Sequence, residues 1–325
     1  MIRKLLFFLL CYLIPLTVIA QETFPVYTDY LSDNVFLIHP SAAGIGNCGK
    51  LRFTSRQQLL GIDDAPSLQT LSFHTRISDK MALGGILFND ENGFHAQKGI
   101  IGSYAYHLNF GRDDALEQLS FGLSFMYVQN TVDQRAFSSP IFDPIVSRIV
   151  ESSNYYNMDA SVAYHFLDAY GYFTVKNLLL SARNLSDSSF ESLNLRRYLL
   201  TFGYYFGRNN SFQFEPSIMG QIIERTGEFF IDLNMKAYKN IQPNMQLWAV
   251  LSYRQSFEGN VIESLKQITP IVGINYKRFM FSYTYTYQLG EIVLDSGGSH
   301  QFTIGVNLFC TKPRSTGCPN LNSIY

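Results

Sequence analysis

Ten residues near the end of the chain, FMFSYTYTYQ (279–288), alternate strictly between two kinds of side chain. Every second position is aromatic, and the positions between are occupied by Met, Ser, Thr and Gln. Because successive side chains leave a β-strand on opposite faces, the pattern predicts a strand with one aromatic face and one mostly polar face. That aromatic face has to meet a protein core, a partner or lipid.

The same period of two recurs along the chain, for example in LSFGLSFMY (119–127) and QFTIGVNLF (301–309). Alternation of this kind is the signal of a strand with two unlike faces, and it predicts about fourteen of them. The alternation is weakest near 50–58 and 170–183. The strands are expected near 50–58, 68–77, 81–88, 99–109, 118–129, 154–166, 170–183, 195–206, 211–224, 228–238, 243–255, 265–276, 279–289 and 299–309.

The connections between these strands alternate in length. Short ones include SDK (78–80) and KR (277–278), whereas long ones include 59–67, 89–98 and 130–153, and RTG (225–227) is an exception. Short turns on one side and long loops on the other are typical of outer-membrane barrels, whose short turns are periplasmic. An even number of strands then places both termini in the periplasm.

Composition agrees with a membrane barrel. Charged residues are only 16% of the chain, against roughly 25% in a typical soluble domain. After residue 21 no run approaches the roughly 20 apolar residues that a membrane helix needs, so a membrane-embedded chain must be a closed barrel. We therefore predict an all-β protein, a transmembrane antiparallel β-barrel. A soluble β-sandwich, which would bury the aromatic faces in a core, is the alternative.

The first twenty residues predict a secretory signal. Arg3 and Lys4 precede an apolar run that Pro15 interrupts, and Val18 and Ala20 satisfy the small-residue rule for cleavage. A membrane anchor helix is the alternative. The expected layout is a signal peptide (1–20) cleaved after Ala20, a periplasmic N-terminal segment (21–49), an outer-membrane barrel (50–309) and a periplasmic tail (310–325). The segment 21–49 is too apolar for a solvated tail, which predicts a plug in the barrel mouth or a contact with a partner.

Motifs that carry chemistry are weak in this sequence. GIGNCG (44–49) matches G-x-G-x-x-G, but a loop precedes it and a strand follows, which is the wrong context for dinucleotide binding. A metal site is not expected, because the cysteines form no CxxC pair and the histidines are scattered. Cys310 and Cys318 could form a disulfide in an oxidising envelope, which leaves Cys48 over. We expect no enzymatic activity and no cofactor, with a barrel lipase as a minor alternative.

The predicted inward face carries ionisable groups. They are Glu215, Asp232, Lys236 and Arg254. Such a set can line a binding or conducting lumen, or it can form a structural network of paired charges. The second interpretation is favoured, because an isolated buried charge is costly. The net charge of −1 gives no electrostatic reason to expect nucleic acid. The long connection 130–153 contains IFDPIVSRIV, which predicts a segment folded inward or covered by a partner.

Two stretches resemble the PorP/SprF family. PVYTDYLSDNVFLIHPSAAGIG (25–46) is similar to the opening of that family, where an aromatic stretch leads into an Asn-Pro-Ala-Tyr-Ala-Gly-like element, although HPSAAG departs at its first and fourth positions. SRQQLLGIDDAPSLQTLSFHTRI (55–77) is similar to the family's Arg-x-Gln-Trp-x-Gly…Ala-Pro…Gln-x-x-Ser element, with Leu59 replacing the aromatic residue. The matching positions include Pro40, Gly44, Arg56, Gln58, Gly61 and Pro66.

The resemblance implies an outer-membrane protein of type IX secretion and gliding in the Bacteroidetes. Members of that family serve the export or surface attachment of particular large secreted proteins, often adhesins, through C-terminal sorting domains, and are not known as enzymes. The implied partners are a cognate secreted protein, the type IX machinery and the lipid bilayer. A diffusion channel or a transporter of hydrophobic solutes is the alternative function.

Overall fold

The alternating segments form fourteen antiparallel strands that close into one barrel. The computed structural model describes residues 34–46, 48–58, 65–110, 117–135, 149–179, 195–207, 211–224, 226–242, 244–257, 265–289 and 298–311. The strands are β1 (Gly49–Gln58), β2 (Ser67–Arg76), β3 (Met81–Asn92), β4 (His95–Asn109), β5 (Glu117–Asp133), β6 (Val150–Phe166), β7 (Ala169–Lys176), β8 (Arg197–Tyr204), β9 (Phe212–Ile223), β10 (Phe229–Gln242), β11 (Met245–Phe257), β12 (Lys266–Tyr276), β13 (Phe279–Leu289) and β14 (Ser299–Leu308). Each strand pairs with its neighbours in the chain, and β1 pairs with β14 to close the seam.

The two faces of the wall are reversed relative to a soluble protein. On β13, Phe279, Phe281 and Tyr287 are exposed on the outside, whereas Ser282 and Thr284 are buried on the inside. The same holds around the barrel, with Phe, Leu and Ile dominating the exposed set and Ser, Thr, Asn, Gln and Arg the buried set. An apolar exterior around a polar interior is the arrangement of a transmembrane barrel, and it confirms the predicted fold class over the β-sandwich.

Opposite ends of the barrel carry different connections. We call the end with the β2–β3, β6–β7, β10–β11 and β12–β13 turns the turn end, and the opposite end the loop end. The first residue of β1, Gly49, lies opposite Leu308 of β14, so the barrel begins and ends at the turn end. Within the described ranges, no helix is both long and apolar enough to cross a membrane. The predicted signal peptide and most of the predicted tail, together with much of the 130–153 connection, lie outside the described residues.

One predicted long loop is wrong. Residues 89–98 belong to a tight hairpin, since β3 continues to Asn92 and β4 begins at His95, with Gly93 in the turn at φ 58°. The cross-strand register continues through Asn89 and Lys98 to the turn. The segment resembles a loop because it is polar on both faces. Strand ends that extend beyond the apolar exterior have no need of an apolar side, so the alternation fades there although the pairing continues.

The disulfide also differs from the expectation. Cys310 bonds to Cys48, and not to Cys318, which lies outside the described residues. The pairing of Gly49 with Leu308 brings together the residues just beyond the two strand ends. Because these cysteines are 262 residues apart in the chain and meet only across the closing seam, their spacing could not reveal the bond.

A charge on the outside of the wall is expected to destabilise the barrel in proportion to its depth. Leu251, near the middle of β11, is 58% exposed, and Leu251→Arg should cost roughly 2–4 kcal/mol if lipid surrounds it. Gln242→Arg at the turn end of β10 is the matched control and should cost roughly 0–1 kcal/mol. Folding titrations in lipid vesicles measure both values. Equal costs at the two positions would contradict the assigned membrane depth.

Candidate functional site: a plug in the barrel lumen

Residues 34–46 lie inside the barrel, and we call them the plug. The side chains of Ile38, His39, Ser41 and Ala43 are fully buried within it. The plug contains two 3₁₀-helices, Val35–Leu37 and Pro40–Ala42. Proline suits the first position of the second helix, because its φ is already helical and the missing N–H would have no partner there. Since β1 follows directly, the plug reaches the lumen from the turn end.

Hydrogen bonds attach the first part of the plug to the wall. Asn34 Nδ2 donates to Ser72 Oγ of β2 at 2.7 Å. The two ring nitrogens of His39 lie 2.6 Å from Thr174 Oγ1 of β7 and 3.1 Å from Thr201 Oγ1 of β8. Because these bonds reach strands on different sides of the barrel, they fix the plug both across the lumen and along the barrel axis.

Hydrogen bonds to the backbone hold the second part. The Ser41 N–H donates to Ser161 Oγ of β6 at 2.6 Å, and the Gly44 N–H donates to His74 Nδ1 of β2 at 2.9 Å. The carbonyl oxygen of Ala43 lies 2.9 Å from His107 Nε2 of β4. A buried backbone group without a partner costs free energy. These wall side chains provide partners for the backbone of the plug, so an irregular segment can lie inside the barrel.

Glycines in the wall make room for the plug. A Cβ built on Gly122 of β5 would overlap the backbone of Pro40 and Ser41, and one built on Gly84 of β3 would overlap the ring of Phe36. Gly44 itself has φ 68° and faces the Ala82 side chain, so only glycine fits its backbone and its space. The plug is therefore seated by shape as well as by hydrogen bonds.

The four predicted inward-facing ionisable residues are all buried. Arg254 donates from Nε to Asp232 Oδ1 at 2.6 Å and from Nη2 to Asp232 Oδ2 at 3.0 Å. Glu215 accepts hydrogen bonds from the hydroxyls of Tyr170 and Tyr238. Each of these charges is thus engaged by a side chain from another strand.

Lys236 completes this set through aromatic rings. Its Nζ lies 4.9 Å from the ring centroid of Tyr238 and 4.3 Å from that of Trp248. An ammonium over a ring face is attracted by the ring quadrupole, most strongly where water is excluded. The cluster formed by Glu215, Lys236, Tyr238 and Trp248 lies toward the turn end, on strands β9–β11.

Breaking the Asp232–Arg254 pair from one side is expected to be more damaging than removing both charges. Asp232→Asn leaves the buried guanidinium without its carboxylate and should cost roughly 3–5 kcal/mol of folding free energy. The double variant Asp232→Asn/Arg254→Gln should recover much of that loss. Urea titration of the folded barrel measures both. A double variant as unstable as Asp232→Asn would show that the unpaired guanidinium is not the source of the loss.

The family-like positions do not gather in one place. Pro40 and Gly44 belong to the plug, whereas Arg56 lies on β1, where its Nη2 donates to Ser299 Oγ at 3.1 Å. Pro66 precedes β2, and its carbonyl oxygen accepts from the Gln58 N–H at 2.9 Å. Gly61 lies outside the described residues. One group thus builds the plug, and the other arranges the hairpin between β1 and β2.

The residues that hold the plug were missed by the sequence reasoning. These are Ser72, His74, His107, Ser161, Thr174 and Thr201 in the wall, together with the seat at Gly122. Their inward facing was readable from the alternation, as in Thr70, Ser72 and His74 of β2. Among the residues that the structure describes, no three His, Cys, Asp or Glu side chains are placed to share a metal ion.

The chain is a β-barrel protein of the outer-membrane type, as its closed fourteen-stranded wall and apolar exterior define. A Pseudomonas aeruginosa FadL homologue is similar over 85% of this chain and 94% of that chain, with a TM-score of 0.51 and 10% identity. CymD, a monoaromatic hydrocarbon channel, has a TM-score of 0.48 and 10% identity, and the match covers 84% of this chain and 91% of that chain. BamA from Haemophilus ducreyi lacking POTRA domains 1–3 has a TM-score of 0.43 and 8% identity, and the match covers 81% of this chain and 70% of that chain. At these identities the likeness shows the fold alone.

The family model of the type IX secretion system membrane protein PorP/SprF matches residues 19–306. Since this range covers most of the chain, the protein belongs to the PorP/SprF family. The match confirms the resemblance found in the two stretches 25–46 and 55–77. None of the curated proteins compared with the chain matches it.

Proposed function

We propose that the protein is an accessory barrel of type IX secretion in the outer membrane that docks one large secreted protein. It recognises the C-terminal sorting domain of that protein and helps to export it or to anchor it at the cell surface. It acts by binding and not as an enzyme. The observation that carries the proposal, within the PorP/SprF family, is the plug, which occupies the lumen with the chain's own backbone.

The two ends of the barrel suit different partners. In the proposed orientation the loop end faces outward, and its longer connections meet the cognate secreted protein. The turn end faces the periplasm, where the plug enters and where Cys48 joins Cys310. That end is fixed by the disulfide and by the seam, so it offers the periplasmic type IX machinery a rigid surface.

Capture of the partner tests this function. The barrel, extracted in mild detergent, should retain one or a few large secreted proteins that mass spectrometry identifies. A form of the captured protein that lacks its C-terminal sorting domain is the matched control and should not be retained. Deletion of the barrel should remove the same protein from the cell surface. An unchanged set of surface proteins combined with lost uptake of a small solute would contradict the proposal.

A diffusion channel or a transporter of hydrophobic solutes is the second candidate. The fold shared with the FadL homologue supports it, since a fourteen-stranded barrel encloses enough space for a solute path. Planar-bilayer recordings separate the two functions. A steady open conductance favours the channel, and a silent barrel that still retains the secreted protein favours docking.

A further inference from the structure

The bond between the plug and His74 requires a neutral ring. Gly44 donates its N–H to His74 Nδ1 at 2.9 Å, so this ring nitrogen acts as an acceptor. An acceptor nitrogen of histidine carries no proton. A second proton on the ring would bring two N–H donors face to face, and the bond that holds Gly44 would be lost.

His107 is restricted to one tautomer by its surroundings. Its Nε2 lies 2.9 Å from Ala43 O, a pure acceptor, so Nε2 carries the proton and donates. Its Nδ1 lies 3.0 Å from Gln118 Nε2, a donor, and 2.8 Å from Ser120 Oγ. A proton on Nδ1 would face the Gln118 amide donor, so the bond from Gln118 to this buried ring would be lost.

His39 is the plug's own histidine and is held on all sides. Thr174 and Thr201 engage its two nitrogens, and its ring stacks on Tyr172 at 4.7 Å. Burial lowers the pKa of His39 well below its ordinary value, and the Lys176 charge acts in the same direction. The docked plug therefore contains a neutral His39 at pH 7.

The charges around these rings are mainly positive. Lys50 and Arg52 of β1 lie near His74, and Arg76 Nε donates to Gly44 O at 3.1 Å. Lys176 lies beside His39, with its Nζ 3.7 Å from the Asp159 carboxylate. Additional protons at the three rings would thus enter a buried and already cationic interface, where they are costly.

We propose that the plug interface is a proton-sensitive latch, in which neutral His39, His74 and His107 hold residues 34–46 and acidification releases them. A histidine exposed to water titrates near pH 6.5. The released form therefore binds more protons than the docked form below that pH. Docking is strongest above about pH 6.5 and weakens as the pH falls, by about tenfold per pH unit for each histidine that stays neutral when docked.

Thiol labelling of the plug tests the latch. Ser41→Cys is placed in the full chain with Cys11 and Cys318 replaced by Ser, so that the Cys48–Cys310 bond is intact. The Ser41 hydroxyl has no hydrogen-bond partner among the described residues, so the change sacrifices none. Asn92→Cys, exposed at the end of β3, corrects for the pH dependence of the maleimide reaction. The corrected rate should rise about tenfold per participating histidine between pH 7.5 and 5.5.

Histidine variants assign the effect. In His74→Asn the amide oxygen can accept from Gly44 without titrating, and the pH response should fall about tenfold. His300→Asn on the outer face of β14 is the matched control and should leave the response unchanged. His39→Gln and His107→Gln complete the set. Heat-modifiable migration on gels verifies that each variant is folded.

Two results would overturn the latch. The first is a corrected rate that stays flat from pH 7.5 to 5.5 in the parent, while Gly122→Ala in the same chain labels rapidly and so shows that release is detectable. The second is a full pH response that persists in all three histidine variants. A response reduced in His74→Asn and unchanged in His300→Asn supports the latch.

Discussion

Gly122→Ala is expected to expel the plug from its seat while the barrel stays folded. The new methyl group would overlap the backbone of Pro40 and Ser41, which cannot rotate away as a flexible side chain could. Forcing a methyl group into a packed interior costs typically 1–3 kcal/mol, and here the plug can escape that cost by leaving. The labelling rate of Ser41→Cys at pH 7.5 should rise roughly 5- to 150-fold.

Gly102→Ala is the matched control for this substitution. Gly102 also lies in the wall, on β4, but a Cβ built there meets nothing within 4 Å. Gly102→Ala therefore carries the same intrinsic cost of replacing a glycine in a strand, but the new methyl group does not collide with the plug. Equal labelling in the two folded variants would show that the plug is not seated against Gly122 as the structure has it. Unfolding of Gly122→Ala in the gel-migration assay would show instead that the plug cannot leave without the barrel.

Reduction of the Cys48–Cys310 bond is expected to destabilise the barrel without opening the plug interface. A cross-link around a loop of this length constrains the unfolded chain, and the chain-entropy model assigns it about 5.5 kcal/mol. In urea titrations, the unfolding midpoint should lie at a lower urea concentration with reductant than without it, because the reduced chain lacks the cross-link. Cys48→Ser/Cys310→Ser should behave like the reduced parent and be insensitive to reductant.

Cys318→Ser is the control for the disulfide and should retain the full stability of the parent. If Cys318→Ser instead reproduced the loss, the pairing of Cys310 with Cys48 would be contradicted. Labelling of Ser41→Cys should stay slow in the Cys48→Ser/Cys310→Ser background, where no other thiol is freed, because the hydrogen bonds described above for His39, His74 and His107 do not involve either cysteine. Stability of the seam and retention of the plug are therefore separable measurements.

The alternation of side chains was sufficient to predict most of the wall. The strand expected at 279–289 is β13 without adjustment, and the one expected at 211–224 is β9 to within one residue. Alternation works here because lipid and lumen impose opposite demands on neighbouring side chains along the whole spanning length. The expectation failed at 89–98, where the strands extend past the apolar exterior and the demand for an apolar side ends.

Contacts inside the lumen could not be predicted in the same way. The inward facing of Glu215 and Asp232 was readable from the sequence, but their partners depend on the register of neighbouring strands and on the curvature of the wall. The plug has no repeating pattern, so nothing in 34–46 indicates which strands it meets. Its seat at Gly122 exists only once the barrel has formed.

The distribution of the plug's contacts has a consequence for the order of assembly. The hydrogen bonds described for the plug go to Ser72, His74, Arg76, His107, Ser161, Thr174, Lys176 and Thr201. All eight residues lie on strands β2–β8, so the hydrogen-bond partners described for the plug are complete once the eighth strand is in place, although Ile38 also packs with Met219 of β9. Six strands then remain to be added before the seam can close. The N-terminal segment can therefore gather the first half of the sheet around itself early, through contacts of shorter sequence separation than the 262-residue closure that ends the process.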